Sequence, residues 1–334
     1  MRKCFCNISA LELYRASGRL APDILHKPRT AKLNDCSVPP RPMLEDDLKR
    51  YGIKAQPCHV LCETKTGHAP RFVARHTHRH PLPARSLIVL NKDTLVVTPE
   101  LLFLELAASR DIDDVELLRI GFELCGTYVL DVSEDSWDGY TSTDAPITSA
   151  KKISTFLERC SGMNGSKRAR RLARLIADGS HSPMETVAAL LVSLPHCMGG
   201  WNLGRVKMNQ RIMTADGPKW VDIFFYKERV GLEYKGRRAH SIERTARDDR
   251  RQNRLTGTGI TVLNIWYEDL AQEHLCEKLM HNIAHSLGKR IRLRSATYEA
   301  RRRVLYATLM PSIQRYEQLG GRGRPTRRTW PGAP

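Results

Sequence analysis

A chain of 334 residues with 41% hydrophobic content has room for two domains with cores of their own, and its formal charge of +18 suits a polyanionic partner. No apolar run reaches the roughly 18 residues of a membrane span, and the opening Met1-Arg-Lys-Cys-Phe-Cys6 lacks the apolar core of a signal peptide. Nine scattered cysteines, an odd number, argue against a disulfide framework or a disulfide-linked partner and for reduced thiols in the cytoplasm.

Residues 1–150 are expected to form an α+β domain. A Pro-rich patch, Val38–Pro42, precedes a helix over Leu44–Tyr51, and short strands follow near Pro57–Leu61 and Ser86–Leu90. Leu95–Ala107 reads as a strand turning into a helix, with Thr98 as cap and Pro99 at the first helical position. A further helix covers Asp113–Leu124. In His76-Thr-His78-Arg-His80, three imidazoles at period two would share a strand face, but an exposed basic segment is the simpler expectation. Cys4-x-Cys6 and Cys58-x₃-Cys62 lack a second matching pair for zinc. Nothing in this half has the form of a catalytic constellation. Residues 151–181, Ser-rich, Gly-rich and basic, are expected to be a linker, and they contain Lys167-Arg168-x-Arg170-Arg171-x-x-Arg174.

A second domain is expected over 182–288. Ser182-Pro183-Met184-Glu185 opens an apolar-periodic run (Met184, Val187, Ala188, Leu190, Leu191, Leu194) and has the form of a capping box. Gly199-Gly200 breaks the chain before a strand near Val206–Ile212. Lys219–Tyr226 and Arg229–Lys235 are β-branched and aromatic, and Lys227-Glu228-Arg229 between them reads as a hairpin turn. Arg247–Leu255 reads as a helix, Ile260–Trp266 as a buried strand and Glu268–Leu287 as an amphipathic helix. This order belongs to an α/β sandwich with a mixed sheet flanked by helices.

The hairpin carries the chemistry. Asp222 sits on its first strand, and Glu233 and Lys235 project from one face of the second, with Tyr234 on the other. Two carboxylates beside a lysine suit a hard divalent cation, with the amine placed to position a water. An exposed Glu-x-Lys ion pair is the plainer reading of the same residues. Glu185 likewise has a capping role available to it.

Basic residues surround this region. Arg237, Arg238, Arg244, Arg247, Arg250, Arg251 and Arg254 face only three acids, and residues 289–334 hold twelve Lys/Arg against two Glu. Basic clusters flanking and entering one domain form a polyanion-binding surface. The tail 289–334, ending in Gly320-Gly-Arg-Gly-Arg-Pro-Thr-Arg-Arg328, is expected to be largely disordered.

Residues 182–270 resemble the PD-(D/E)XK nuclease superfamily, and within it the Vsr-like, very-short-patch-repair-type endonuclease domain. The resemblance rests on Ser182 with Glu185, on Asp222, on Glu233-Tyr-Lys-Gly236, on His240, and on Asp248-x-x-Arg251-x-x-x-Leu255-x-x-x-Gly259. Val221 precedes Asp222, so the literal Pro-Asp is absent, and Lys235 stands where many members carry Asp.

The resemblance implies a restriction-endonuclease-like fold and a metal-dependent endonuclease, with DNA the expected substrate. Asp222, Glu233 and the Tyr234 carbonyl would hold Mg²⁺ or Mn²⁺, with Glu185 joining directly or through water, and Lys235 would orient the attacking water. His240, Arg251, Arg237, Arg238, Lys167 and Arg168 are the residues offered to nucleic acid. Ser9-Ala-Leu11, the segment from Thr98 to Ala107 and Glu123–Tyr128 resemble actinobacterial proteins that pair such a half with a Vsr-like domain, and more distantly the antitoxin-type domain of abortive-infection systems. Two rivals stay open: a nuclease-derived module that binds nucleic acid without cutting, and an RNA-directed nuclease. A homodimer is compatible with each.

Overall fold

The computed structural model describes residues 2–18, 21–64, 69–130, 139–235, 255, 257–291 and 295–318. The chain divides into two units, the first reaching residue 176 apart from 137–139, the second taking those three and residue 177 onward. Both are mixed α/β.

In the first unit the strands are β1 (Lys3–Phe5), β2 (Arg29–Thr30), β3 (Cys58–Leu61), β4 (Val73–His76), β5 (Leu87–Asn91) and β6 (Thr94–Val97). They form one sheet in the order β2-β5-β6-β1-β3-β4. β1 runs parallel to β6 and antiparallel to β3, so three residues at the start of the chain join the sheet's two halves. Helices α1 (Asn7–Ser17), α2 (Ala21–Leu25) and α3 (Arg41–Tyr51) precede β3. After β6 come α4 (Pro99–Ala108) and α5 (Asp114–Leu124), then the small ladder of β7 (Tyr128–Leu130) with β8 (Tyr140–Ser142). Thr98 caps α4 by accepting the Leu101 N–H at 3.4 Å, and Asp113 caps α5 by accepting the Glu116 N–H at 2.8 Å.

α4 is buried all round: Leu101, Leu102, Phe103, Leu104 and Leu106 are at most 1% exposed, and Glu100 and Glu105 are buried with them, as in a helix enclosed by neighbours. Part of that enclosure comes from residues expected to be linker, which instead form α6 (Ala150–Glu158) and α7 (Ser166–Ala173) packed against α4. Their apolar faces, Ile153, Phe156 and Leu157 on one and Ala169, Leu172 and Ala173 on the other, are buried. Gly165 opens α7 with a φ of 78°, and a Cβ there would lie 2.6 Å from the Ala108 nitrogen, so only glycine fits the approach.

Arg168, expected at nucleic acid, is drawn inward. Its guanidinium donates to Asp114 Oδ1 (2.7 Å) and to the carbonyls of Ala107 (3.1 Å), Ser109 (3.1 Å) and Ile112 (2.6 Å). The open carbonyls at the end of α4 need donors, and Arg168 supplies them. Lys167, Arg171 and Arg174 remain exposed, Arg171 paired with Asp114 at 2.5 Å.

The expectation of an exposed basic histidine segment holds at Arg79 and His80 and is corrected at His76 and His78. His76 and His78 are half-buried; His76 Nε2 shares a hydrogen bond with His59 Nδ1 (2.9 Å), and His78 Nε2 lies 3.1 Å from Glu105 Oε1. Burial lowers the pKa of His76 and pushes His59 down to about 4, so the pair is neutral near pH 7.

The second unit opens with α8 (Pro183–Ser193), followed by β9 (Lys207–Thr214), β10 (Gly217–Phe225), β11 (Val230–Lys235) and β12 (Thr261–Trp266). The sheet order is β12-β11-β10-β9, antiparallel except for the parallel pair β11–β12. Residues 226–229 make the hairpin turn between β10 and β11. The helix expected over Glu268–Leu287 is broken at Gln272 into α9 (Tyr267–Ala271) and α10 (Glu273–Ser286). Within the expected disordered tail, α11 (Ala296–Gln318) forms and packs against α8 and α9. The helix expected over Arg247–Leu255 lies outside the described residues except for Leu255, which is fully buried with Val221, Phe224, Ile260 and Val262.

Candidate functional site

α8 begins where Ser182 Oγ accepts the Glu185 N–H (3.2 Å) and donates to Glu185 Oε1 (3.1 Å). In the expected capping box the carboxylate would return to the Ser182 N–H; here Glu185 Oε2 accepts from the His181 N–H (2.9 Å) and from Asn209 Nδ2 (2.7 Å). Glu185 is 8% exposed. Burial raises its pKa, and the bonds from His181, Asn209 and Ser182 work against that rise. Asn209 Nδ2 also donates to Gly179 O at 2.9 Å, which ties β9 to the start of α8.

The register of β9 and β10 is interrupted at one point. Gly217–Val221 pair with Gln210–Thr214, and Ile223 and Phe224 pair with Met208 and Lys207, leaving out Asp222 and Asn209. Asn209 has a φ of 45°, a left-handed backbone that asparagine tolerates. Val221 and Phe224, three residues apart, nevertheless share one apolar cluster, so the usual alternation breaks at Asp222. Irregularities of this kind re-aim a side chain.

On its other side, among the described residues, β10 pairs with β11 from Ile223–Leu232 to Phe225–Val230. One residue beyond that ladder, Asp222 Oδ2 accepts the Tyr234 N–H at 2.8 Å. A carboxylate thus takes the place of a strand partner, and the two strands part there. Glu233, 5% exposed, follows Leu232 on β11, and Lys235 Nζ donates to Glu233 Oε2 at 3.0 Å. The expected common face of Glu233 and Lys235 is therefore present, and the Lys235 side chain is only 12% exposed. On β12, Asn264 registers with Glu233 and Trp266 with Lys235.

Two residues absent from the sequence reading belong here. His181 donates its N–H to Glu185, and its ring is depressed in pKa by desolvation, which the nearby Asp222 carboxylate opposes. Asn209 links Glu185 to the strand beside Asp222. A signal for Asn209 was present, since asparagine is a poor strand former in the middle of a strand run. For His181 no pattern distinguishes it from any histidine before a cap.

Of the other proposed site residues, Arg237, Arg238, His240 and Arg251 lie outside the described residues, and Lys167 and Arg168 belong to α7 of the first unit. Among the described residues no three His, Cys, Asp or Glu side chains converge as a ligand set. No helix among them is long and apolar enough to cross a membrane. No protein-family model, no curated protein and no solved structure matches the chain.

Proposed function

We propose that the second unit is a metal-dependent endonuclease that hydrolyses phosphodiester bonds, with DNA as its substrate. In this reading the α8–β9–β10–β11–β12 order is that of a restriction-endonuclease-like domain of the Vsr-like branch. The observation that carries the proposal is the parting of β10 and β11, where the Asp222 carboxylate meets the Tyr234 N–H beside the Glu233–Lys235 pair. A structural ion pair needs no second carboxylate on the neighbouring strand. Two acids beside a polyanion repel it unless a cation lies between them.

The donor set fits a hard cation. Mg²⁺ is commonly held by one or two carboxylates with waters and substrate phosphate, and Asp222 and Glu233 supply two carboxylates from adjacent strands. Asp222, Glu233 and the Tyr234 carbonyl would hold Mg²⁺ or Mn²⁺. When bound, such an ion neutralises charge developing on the phosphate and acidifies a coordinated water. Lys235 positions the attacking water, and its attachment to Glu233 keeps the ammonium beside the carboxylates. Glu185 stands behind this set, its oxygens already accepting from Ser182, His181 and Asn209, and it holds β9 against α8.

The test is cleavage of supercoiled plasmid, single-stranded DNA and bulk RNA with Mg²⁺, Mn²⁺ or chelator. Glu233→Gln and Lys235→Ala proteins run beside the wild type. Metal-dependent cutting of plasmid, reduced at least about a hundredfold in both variants, is expected. Preferred cutting of RNA would reassign the substrate. Salt-sensitive binding without cutting under any metal would make the unit a regulatory nucleic-acid binder, and cutting untouched by both substitutions would place the site elsewhere.

A further inference from the structure

In the first unit, α7 is charged in a way that its own folding disfavours. It carries Lys167, Arg168, Arg170 and Arg171, with Arg174 at its end, and no acid in its first turn. Cations at a helix start oppose the helix dipole. Lys167 with Arg171, Arg170 with Arg174 and Arg171 with Arg174 stand three or four residues apart, where like charges repel. What holds α7 in place is its apolar face and the Arg168 clamp on the carbonyls that end α4. With Arg168 turned inward, Lys167, Arg171 and Arg174 stay exposed. Asp114 of α5 pairs with Arg168 and Arg171, while Lys167 and Arg174 have no carboxylate partner among the described residues. α6 packs against both α7 and α4, and it adds the exposed Lys151 and Lys152, with Arg159 at its end. Glu158 is the only acid between Ala150 and Arg174. His80, also exposed, meets this surface at the loop between the helices, its Nε2 3.8 Å from where a Cβ on Gly162 would lie.

We infer that the outer face of α6 and α7 binds the phosphate backbone of duplex DNA, without regard to sequence. The choice of DNA over RNA rests on the reading of the second unit as a DNA nuclease, but the surface belongs to the first unit alone. Its composition decides the class of partner. A helix that lies on a membrane inserts large apolar side chains beside its cations, and no large hydrophobic residue of α6 or α7 is exposed. A protein partner is anchored at the centre of its interface by aromatic and apolar residues, with charge depleted there. This face offers neither, only cations with one acid among them, and that composition suits a dense row of phosphates. The extent is adequate too. Lys151 to Arg159 covers roughly 12 Å of helix, and one strand of DNA presents a phosphate about every 3.4 Å along the axis. A bound polyanion would remove the repulsion within α7 that its folding tolerates.

The experiment measures binding by the full chain, in chelator, of two DNA duplexes of unrelated sequence, an RNA duplex, and vesicles of phosphatidylserine with phosphatidylcholine. Salt is varied over about 50–200 mM. Lys167→Glu and Arg174→Glu are compared with Lys92→Glu in the β5–β6 turn, which makes the same change of charge at another exposed lysine of the unit. Lys167→Glu puts an acid in the first turn of α7, so in thermal melts it should be at least as stable as the wild type, and weaker binding is then not a loss of fold. Each α7 substitution is expected to weaken both DNA duplexes about tenfold and to reduce the slope of log affinity against log salt by about one. Lys92→Glu should stay within about twofold of wild type. Unchanged duplex affinity in both α7 variants overturns the inference. An equal loss in Lys92→Glu does so too, because net charge alone is then felt. Tighter binding of the RNA duplex or the vesicles than of DNA, lost in the same variants, would assign the face to that partner and overturn it as well. Plasmid cutting by the wild type with α7-independent binding would remove this inference and leave the nuclease standing. DNA binding that depends on α7, with no cutting under any metal, would do the reverse.

Discussion

Both units bury carboxylates, and they treat them in opposite ways. In the first, Glu123 receives the Arg15 guanidinium through two bonds, of 2.8 and 2.7 Å, together with the Leu130 N–H at 2.8 Å. Glu100 takes the Thr148 hydroxyl at 2.5 Å, Glu105 takes the Asn7 N–H at 3.0 Å, and Lys3 pairs with Asp47. Each acid there joins segments far apart in the chain and is enclosed by what it joins. In the second unit, Asp222, Glu233 and Lys235 come from two adjacent strands and meet where a ladder ends, next to the exposed Trp220 and Trp266. A buried charge is therefore no mark of function by itself. A charge held where a strand ladder ends, with a second of the same sign on the neighbouring strand, is harder to explain by folding alone.

Stability and activity should separate along this line. Glu123→Ala should cost about 3–5 kcal/mol, because it takes the bidentate carboxylate from a buried guanidinium. Chemical denaturation followed in the full chain would measure it, and a loss below about 1 kcal/mol would remove the contrast between the units. Next in size is a pH effect on the first unit. The pKa of His59 is depressed to about 4 and that of His76 is lowered, so between the unfolded value near 6.5 and those lower values the unfolded chain binds more protons. Stability should fall as pH drops through this window, by up to about 1.4 kcal/mol per pH unit for each histidine. The fall should be shallower in His59→Phe. A flat profile between pH 6.5 and 4 would mean that both rings reach solvent.

The hairpin was legible because its strands are β-branched and aromatic and its turn is a run of charge. The starts of α4 and α8 were legible because Thr98-Pro99 and Ser182-Pro183 are local signals that tertiary structure left in place. Other elements depend on contacts the sequence does not announce. β1 is three residues long, too short to display a period, yet it lies between β6 and β3. α6 and α7 were hidden by their lysines and arginines, although Ile153, Phe156, Leu157, Ala169 and Leu172 repeat at helical spacing. Arg168 has the composition of a phosphate contact and the geometry of a helix clamp, and only the positions of the α4 carbonyls distinguish the two. In the site, the acids and the lysine could be read as a pattern. The interruption at Asn209 and Asp222 could not, because it arises between two strands.

The smallest expected effect is also the sharpest test of where the site ends. Glu185→Gln keeps an oxygen for the His181 N–H and the Asn209 amide, and its new NH₂ can donate to Ser182 Oγ, so the start of α8 should survive within about 1 kcal/mol. The sign of the pH effect follows from burial. The folded pKa of Glu185 lies above its unfolded value, so its contribution is fully present below the unfolded pKa and is lost as pH rises through the folded one. Relative to Glu185→Gln, the wild type should thus lose stability as pH rises above the ordinary carboxylate range, which paired denaturation curves would show. Cleavage by the same variant reads the other half of the question. If Glu185 only holds β9 against α8, Glu185→Gln cuts plasmid within a fewfold of wild type while Glu233→Gln does not. A loss as deep as that of Glu233→Gln, with stability retained, would extend the metal-binding set across Asn209 to α8.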